Sequence, residues 1–256
     1  MPSAAPPEPR SAWNTPPAVL ALTHDTVHVW RAHLDNVGED DVARLAWPLA
    51  PDERARAATF VFTPDRRRFT VARAALRFIL AGYLGVTADA VGLSRLPEGR
   101  PTLTGEHAGA LAFSVSRSAG LALCAVALHR DIGVDVERVL RGVADDVVRD
   151  RILSPAEVGA LRPLAPEARE RAFFAAWTRK EAYAKARGLG LALPFERFTV
   201  STNPDSPALL IADDDDPGRW TLRDLDAGPG YAAALAVTGG LAGVWTWEWT
   251  ADLSVR

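Results

Sequence analysis

Two long helix-forming stretches, 64–84 and 166–187, each close on leucine and glycine and are each followed by short apolar runs. In the first, RRRFTVARAALRFILAGYL sets Phe69, Ala72, Leu76 and Ile79 or Leu80 on one stripe with arginines opposite, the pattern of an amphipathic helix. Gly82 and Gly85 end it; Gly188 and Gly190 end the second, supplying the permissive backbone a helix terminus needs. The runs after the first helix are LAFSVS and GLALCAVAL, which predict a hairpin, and those after the second are RFTVS, ALLIA, RWTLRDL, GYAAALAVT and VWTWEWT. A strand-like run precedes each helical region, AVLALTHDTVHVWRAHL at 18–34 and IGVDVERV at 132–139. Helices are further expected from Pro51 and from Ser154 with Pro155 in its first turn. The order strand, helices, long helix, strands thus occurs twice. It supports an α+β fold of two similar halves, 18–130 and 131–250, as in a pseudo-twofold arrangement, and a site in the cleft between them would be natural. The Pro/Ala-rich start, 1–17, reads as a flexible tail.

Smaller features complete this outline. VWTWEWT alternates Trp245, Trp247 and Trp249 with Thr246, Glu248 and Thr250, so one face is expected buried and the other wet. The acidic DDDDPG beginning at Asp213 reads as a solvated turn. Cys124, the only cysteine, forms no internal disulfide and fits a reducing cytoplasm. No apolar segment approaches the ~20 residues of a membrane span, and the start lacks a signal peptide's layout.

A formal charge of −3 excludes a generally basic nucleic-acid binder, yet arginines crowd between Arg54 and Arg77. Acidic residues gather instead at Glu39, Asp40 and Asp41, at Asp145 and Asp146, and at 213–216. A local basic cluster in a nearly neutral chain points to a small anionic ligand.

Three groups of residues could carry chemistry. On a strand, the spacing of Asp135 and Glu137 turns both carboxylates to one face, where they can hold a hard cation such as Mg²⁺. The same spacing also suits a solvent-facing strand end. On the second helix Trp177, Glu181 and Lys185 follow at i, i+4 and i+8 and share a face, with Lys180 beside them. Against the strand, Glu181 could complete a metal site or act as general base; alone, the pair is also an ordinary surface Glu and Lys. Third, Arg54, Arg56, Arg66, Arg67, Arg68 and Arg73, with Arg100, Ser116 and Arg117, offer forks and hydroxyls suited to phosphate oxygens. There is no GxxxxGK phosphate loop, HExxH zinc pair, GxSxG elbow or paired CxxC. His24 and His28, four apart, lie in a strand, where that is not ligand spacing.

In order, GRPTL, FSVSRS, IGVDVE and WTRKEAYAKARGLGL resemble the 4′-phosphopantetheinyl transferases of the larger, monomeric Sfp-type class over about Pro51 to Leu191. The family tokens are GKP, F-N-x-S-H-S, G-(I/V)-D-x-E and W-x-x-K-E-(A/S)-x-x-K, on two α+β halves with coenzyme A between them. The resemblance implies that Asp135, Glu137 and Glu181 ligate Mg²⁺, with Mn²⁺ as a substitute, and that Glu181 is the base for a carrier serine. It also implies that Lys180 and Lys185 face the pyrophosphate, Arg100 and Pro101 the adenine end, Ser116 and Arg117 the phosphates, and Arg56 with Arg68 the 3′-phosphate. Arg100 and Arg117 depart from the usual lysine and histidine. The implied reaction moves the phosphopantetheine arm of coenzyme A to an apo acyl or peptidyl carrier protein. A metal-dependent phosphodiesterase and a non-enzymatic coenzyme A binder are the alternatives; nucleic acid and membrane are not expected partners.

Overall fold

The computed structural model describes residues 13–140, 152–203 and 205–251. Most of the proposed tail, and the acidic pair Asp145 and Asp146, lie outside them. Strand β1 (Thr26–His33) is followed by α1 (Glu39–Leu45), α2 (Pro51–Ala58), α3 (Thr63–Leu84), the short strands β2 (Leu93–Arg95) and β3 (Pro101–Leu103), and the hairpin β4 (Ala112–Ser118) with β5 (Leu121–Ala127). The second half runs β6 (Ile132–Arg138), α4 (Pro155–Leu161), α5 (Pro166–Ala186), β7 (Phe198–Val200), β8 (Leu209–Ala212), β9 (Trp220–Asp224) and β10 (Tyr231–Thr238). Strand β11 (Gly243–Trp249) closes the chain.

The duplication is visible in strand order. One sheet runs β11-β1-β5-β4 and the other β6-β10-β9. In each, the second arm of the hairpin lies between the first strand and the first arm, antiparallel to both. Helix α3 covers the first sheet and α5 the second, while Val27, Val29, Leu123 and Ala125 meet Val134, Val136 and Leu235 between the sheets. Each such large side chain, fully buried, contributes about 1.5–3 kcal/mol. The expected stripe is confirmed by the burial of Phe69, Leu76, Ile79 and Leu80. Among the described residues no helix is long and apolar enough to cross a membrane.

Several expectations are corrected. Strand β11 pairs in parallel with β1, from Thr26 opposite Gly243 to Ala32 opposite Trp249. Residues 243–249 therefore join the first sheet rather than the half assigned to 131–250; parallel pairing across the whole chain leaves no local signal. At the other end, Asn14 is not part of a free tail. Its N–H donates to the Thr246 carbonyl and its own carbonyl accepts from Glu248 N–H. The first strand begins at Thr26, not at Ala18. The arginines of α3 are not all opposite the core: Arg77 is 2% exposed, and with Arg73 it closes on the buried Glu53 of α2 at 2.6 and 2.8 Å. Trp247 and Trp249 are buried as expected, whereas Trp245 is 52% exposed and stacks on Trp247. The acidic turn is partly structural, because Asp215 accepts from the Tyr183 hydroxyl and the Trp220 indole at 2.8 and 2.7 Å.

Candidate active site

The centre is built where β4, β6 and α5 meet. Strand alternation sends Ile132, Val134 and Val136 into the core between the sheets and turns Gly133, Asp135 and Glu137 toward α5. Alternation also aligns Ser114, Ser116 and Ser118 on one face of β4. The Ser114 hydroxyl accepts from Val134 N–H at 3.1 Å, and that of Ser118 accepts from Arg138 N–H at 3.0 Å, tying the two halves together. Ser118 donates to Glu137 Oε2 at 2.6 Å, and Ser116 donates to Asp135 Oδ1 at 2.7 Å. The Ser116 donor thus serves a carboxylate, not a free phosphate-binding position.

Helix periodicity brings Glu181 and Lys185 over this strand. Lys185 Nζ donates to Asp135 Oδ1 at 2.6 Å and to the Val134 carbonyl at 3.3 Å. Asp135 is 2% exposed, and its Oδ2 has no hydrogen-bond partner among the described residues. Burial, then the charge of Asp135, push the Glu181 carboxyl up to about 7; Glu137 adds to this and Lys185 opposes it. Burial also raises Glu137, against the hydrogen bond from Ser118. Perturbed acids in a cleft are a mark of functional sites. Trp177, on the same helix face, packs against Phe173 and does not line the cleft.

These groups line a cavity of about 410 Å³ whose far wall is apolar, from Trp30 of β1 to Phe69, Ala72 and Leu76 of α3. An adjoining space of about 290 Å³ shares Val115, Glu181 and Lys185 with it and adds Arg100, Pro101, Gly188 and Gly190. Arg117 also lines the larger cavity, with its guanidinium 5.6 Å from the centroid of the Phe69 ring. Partial desolvation in the cleft lowers the Arg117 pKa, and the charges of Arg95, which lines the same cavity, and of Arg56, which lines neither space, lower it further, against Asp65. Arginines crowded at a cleft wall make a ready site for an anion.

Two expected ligand residues point elsewhere. Lys180 is 0% exposed; it pairs with Glu157 at 2.7 Å and donates to the Phe195 and Phe198 carbonyls at 2.6 and 2.7 Å. One helical step from Glu181 rotates a side chain by about 100°, which turns Lys180 into the α5 core. Arg68 is engaged by both oxygens of Asp35, at 2.8 and 2.7 Å, and does not line either cleft space. Conversely, Arg95 lines both spaces and Arg73 the larger one. Arg95 was missed because β2 is short, although it stands opposite Pro101 in the β2–β3 pair, a hairpin readable around Gly99.

Among the described residues no three acid, histidine or cysteine side chains already stand together as a metal cage. The donors nevertheless fit a hard divalent ion: they are carboxylate oxygens, one of them, Asp135 Oδ2, buried without a partner.

Carboxylates facing arginines across a cleft between two like halves define a phosphate-handling enzyme. Residues 131–236 match the 4′-phosphopantetheinyl transferase superfamily, and residues 38–129 match the N-terminal region of 4′-phosphopantetheinyl transferases. The 4′-phosphopantetheinyl transferase HetI of Nostoc sp. is 41% identical over 229 residues, covering 89% of this chain and 94% of the relative. A 4′-phosphopantetheinyl transferase of Bacillus subtilis is 26% identical, over 78% of this chain and 86% of its own. The chain belongs to the 4′-phosphopantetheinyl transferase superfamily, in its Sfp/HetI type. A holo-(acyl-carrier-protein) synthase from Bacillus anthracis, solved in complex with CoA, matches 43% of this chain and 96% of its own, with 22% identity and a TM-score of 0.37.

Proposed function

We propose that the protein transfers the 4′-phosphopantetheine arm of coenzyme A to a serine of an apo acyl or peptidyl carrier protein, releasing adenosine 3′,5′-bisphosphate. The observation that carries this reading is the juxtaposition of Glu181, its carboxyl raised to about 7, with Lys185 and the Arg95–Arg117 wall in one cleft. The transferase names of the relatives support it, and none of the reported relatives is named a phosphodiesterase or a mere binder.

Asp135, Glu137 and Glu181 would hold a divalent ion, Mg²⁺ or in its place Mn²⁺. When bound, the ion supplies Lewis-acid charge to phosphoryl oxygens. The chain's own groups do the rest. Arg56, Arg95 and Arg117 bind phosphate oxygens, with Arg100 and Pro101 toward the adenine end. Glu181 takes the proton from the carrier serine. The serine oxygen forms its bond to the β-phosphorus as the bond from that phosphorus to the bridging oxygen breaks, and the electron pair leaves with the bisphosphate. Lys185 offsets charge on the phosphoryl oxygens. Both walls of the cleft come from one chain, which is consistent with action as a monomer, and the buried free thiol of Cys124 suits a cytoplasmic setting.

Incubating apo carriers with the protein, Mg²⁺ and coenzyme A, followed by intact-mass analysis, tests the reading: a gain of one phosphopantetheine is expected. Asp135→Ala and Glu137→Ala should each abolish it, as should a chelator, with recovery on adding Mg²⁺ or Mn²⁺ rather than Zn²⁺. Consumption of coenzyme A without a carrier would instead identify a hydrolase.

A further inference from the structure

We propose that Lys185 makes uptake of the divalent ion depend on coenzyme A, so that each ligand tightens the other. This rests on the cleft reading given above and extends it to how its two ligands influence one another.

The ammonium of Lys185 sits 2.6 Å from Asp135 Oδ1, on a carboxylate that is almost wholly buried. The ligand position left open on that carboxylate is Oδ2, which has no hydrogen-bond partner among the described residues. A cation taken up there shares one carboxylate with an ammonium, in a setting where little water screens the repulsion. The ammonium offsets one of the charges that Asp135, Glu137 and Glu181 offer. A metal arriving alone therefore meets a centre already partly neutralised.

The ammonium is free to turn away. Among the described residues its hydrogen bonds go to Asp135 and, at 3.3 Å, to the Val134 carbonyl, the charges of Glu181 and Glu137 lie near it, and its side chain is 27% exposed and lines both cleft spaces. Asp135 does not depend on it for position, because Ser116 donates to the same Oδ1. An anionic pyrophosphate in the cleft offers oxygens to both cations, draws the ammonium toward itself and removes the repulsion. By linkage, the factor by which coenzyme A tightens the metal equals the factor by which the metal tightens coenzyme A. Without Lys185 the empty centre is more negative, so the metal alone binds better and the two ligands become more nearly independent.

The experiment measures Mn²⁺ affinity by electron paramagnetic resonance for the full chain, with and without coenzyme A. It is run on the wild type and on Lys185→Met, Lys185→Gln and Lys185→Arg, each verified as folded by its thermal melt. In the wild type, coenzyme A should tighten Mn²⁺ by about tenfold or more. Either charge-removing variant should bind Mn²⁺ alone about tenfold more tightly than the wild type and lose about that factor from the coupling, and Lys185→Arg should keep it. Mn²⁺ affinity without coenzyme A that is unchanged or weaker in both Lys185→Met and Lys185→Gln overturns the inference. So does wild-type Mn²⁺ binding that ignores coenzyme A. A folded wild type that binds no Mn²⁺ under either condition overturns the metal reading and the inference together.

Discussion

A Cβ atom built on Gly133 would stand 1.9 Å from the carbonyl oxygen of Ala182 and 2.6 Å from the backbone nitrogen of Ala186. Helix α5 therefore lies on β6 backbone to backbone, and this approach carries Glu181 and Lys185 onto Asp135. Neither atom belongs to a side chain that can swing aside. Gly133→Ala is expected to lower unfolding free energy by about 2–3 kcal/mol, at the upper end for overpacking, and to cut transfer at least about tenfold in the folded fraction. Urea titration and carrier modification assays measure the two effects. A variant with wild-type stability and turnover would mean that the helix can lift without disturbing the centre.

The raised carboxyl of Glu181 sets a pH dependence for the metal-free protein. A carboxyl moved from 4.5 to about 7 on folding keeps its proton longer in the native state, so its favourable contribution is complete below about 4.5 and is lost as pH rises to about 7. In chelator, Glu181→Gln should thus melt above the wild type at pH 8 and close to it at pH 4.5. Mg²⁺ with coenzyme A should reduce the gap by stabilising the ionised wild type. Melting temperatures of both proteins across this range check the sign.

Arg117, stacked on Phe69 near Arg56 and Arg95, is expected to meet a phosphate of coenzyme A. Arg117→Ala should weaken coenzyme A binding about ten- to a hundredfold, the loss of a charge-assisted hydrogen bond of roughly 1.5–3 kcal/mol. Arg117→His should recover most of it. With dephospho-coenzyme A the defect should shrink if the contacted group is the 3′-phosphate. Calorimetry on both cofactors decides, and equal binding by parent and alanine variant would place the guanidinium in solvent.

Lys180 should behave as a structural residue. Lys180→Met leaves Glu157 buried beside the Phe195 and Phe198 carbonyls without its partner, a loss of about 3–5 kcal/mol for a broken buried pair. In the fraction that remains folded, KM for coenzyme A should be unchanged. A raised KM with unchanged stability would return Lys180 to the cleft.

The parts of the site that were legible in sequence are those set by local periodicity. A two-residue step on β6 put Asp135 and Glu137 on one face, and a four-residue step on α5 aligned Glu181 with Lys185. The β4–β5 hairpin likewise followed from two apolar runs whose lengths suit strands better than helices. What stayed hidden depends on partners distant in sequence. Arg73 and Arg77 look like a solvated face until Glu53 closes on them from α2, and Arg68 looks free until Asp35 takes its Nε and one Nη. Asp215 passes for an ordinary turn aspartate because Tyr183, which needs it, lies on the long helix. The resemblance implied a set of metal and cofactor residues but misdirected Lys180, whose partners Glu157 and the Phe195 and Phe198 carbonyls lie on the core side of α5.

The return of β11 to β1 has a consequence for dividing this molecule. A chain severed once between β5 and β6 leaves β1 on one fragment with an unfilled parallel edge, and its complement, β11, on the other. Two such fragments, expressed separately, should reassociate as β11 of the second fills the edge that β1 of the first leaves open. Asn14 already bridges to Trp247, so the two extremities of the described chain lie side by side in that sheet. A linker joining them would yield a circular permutant that begins at β6.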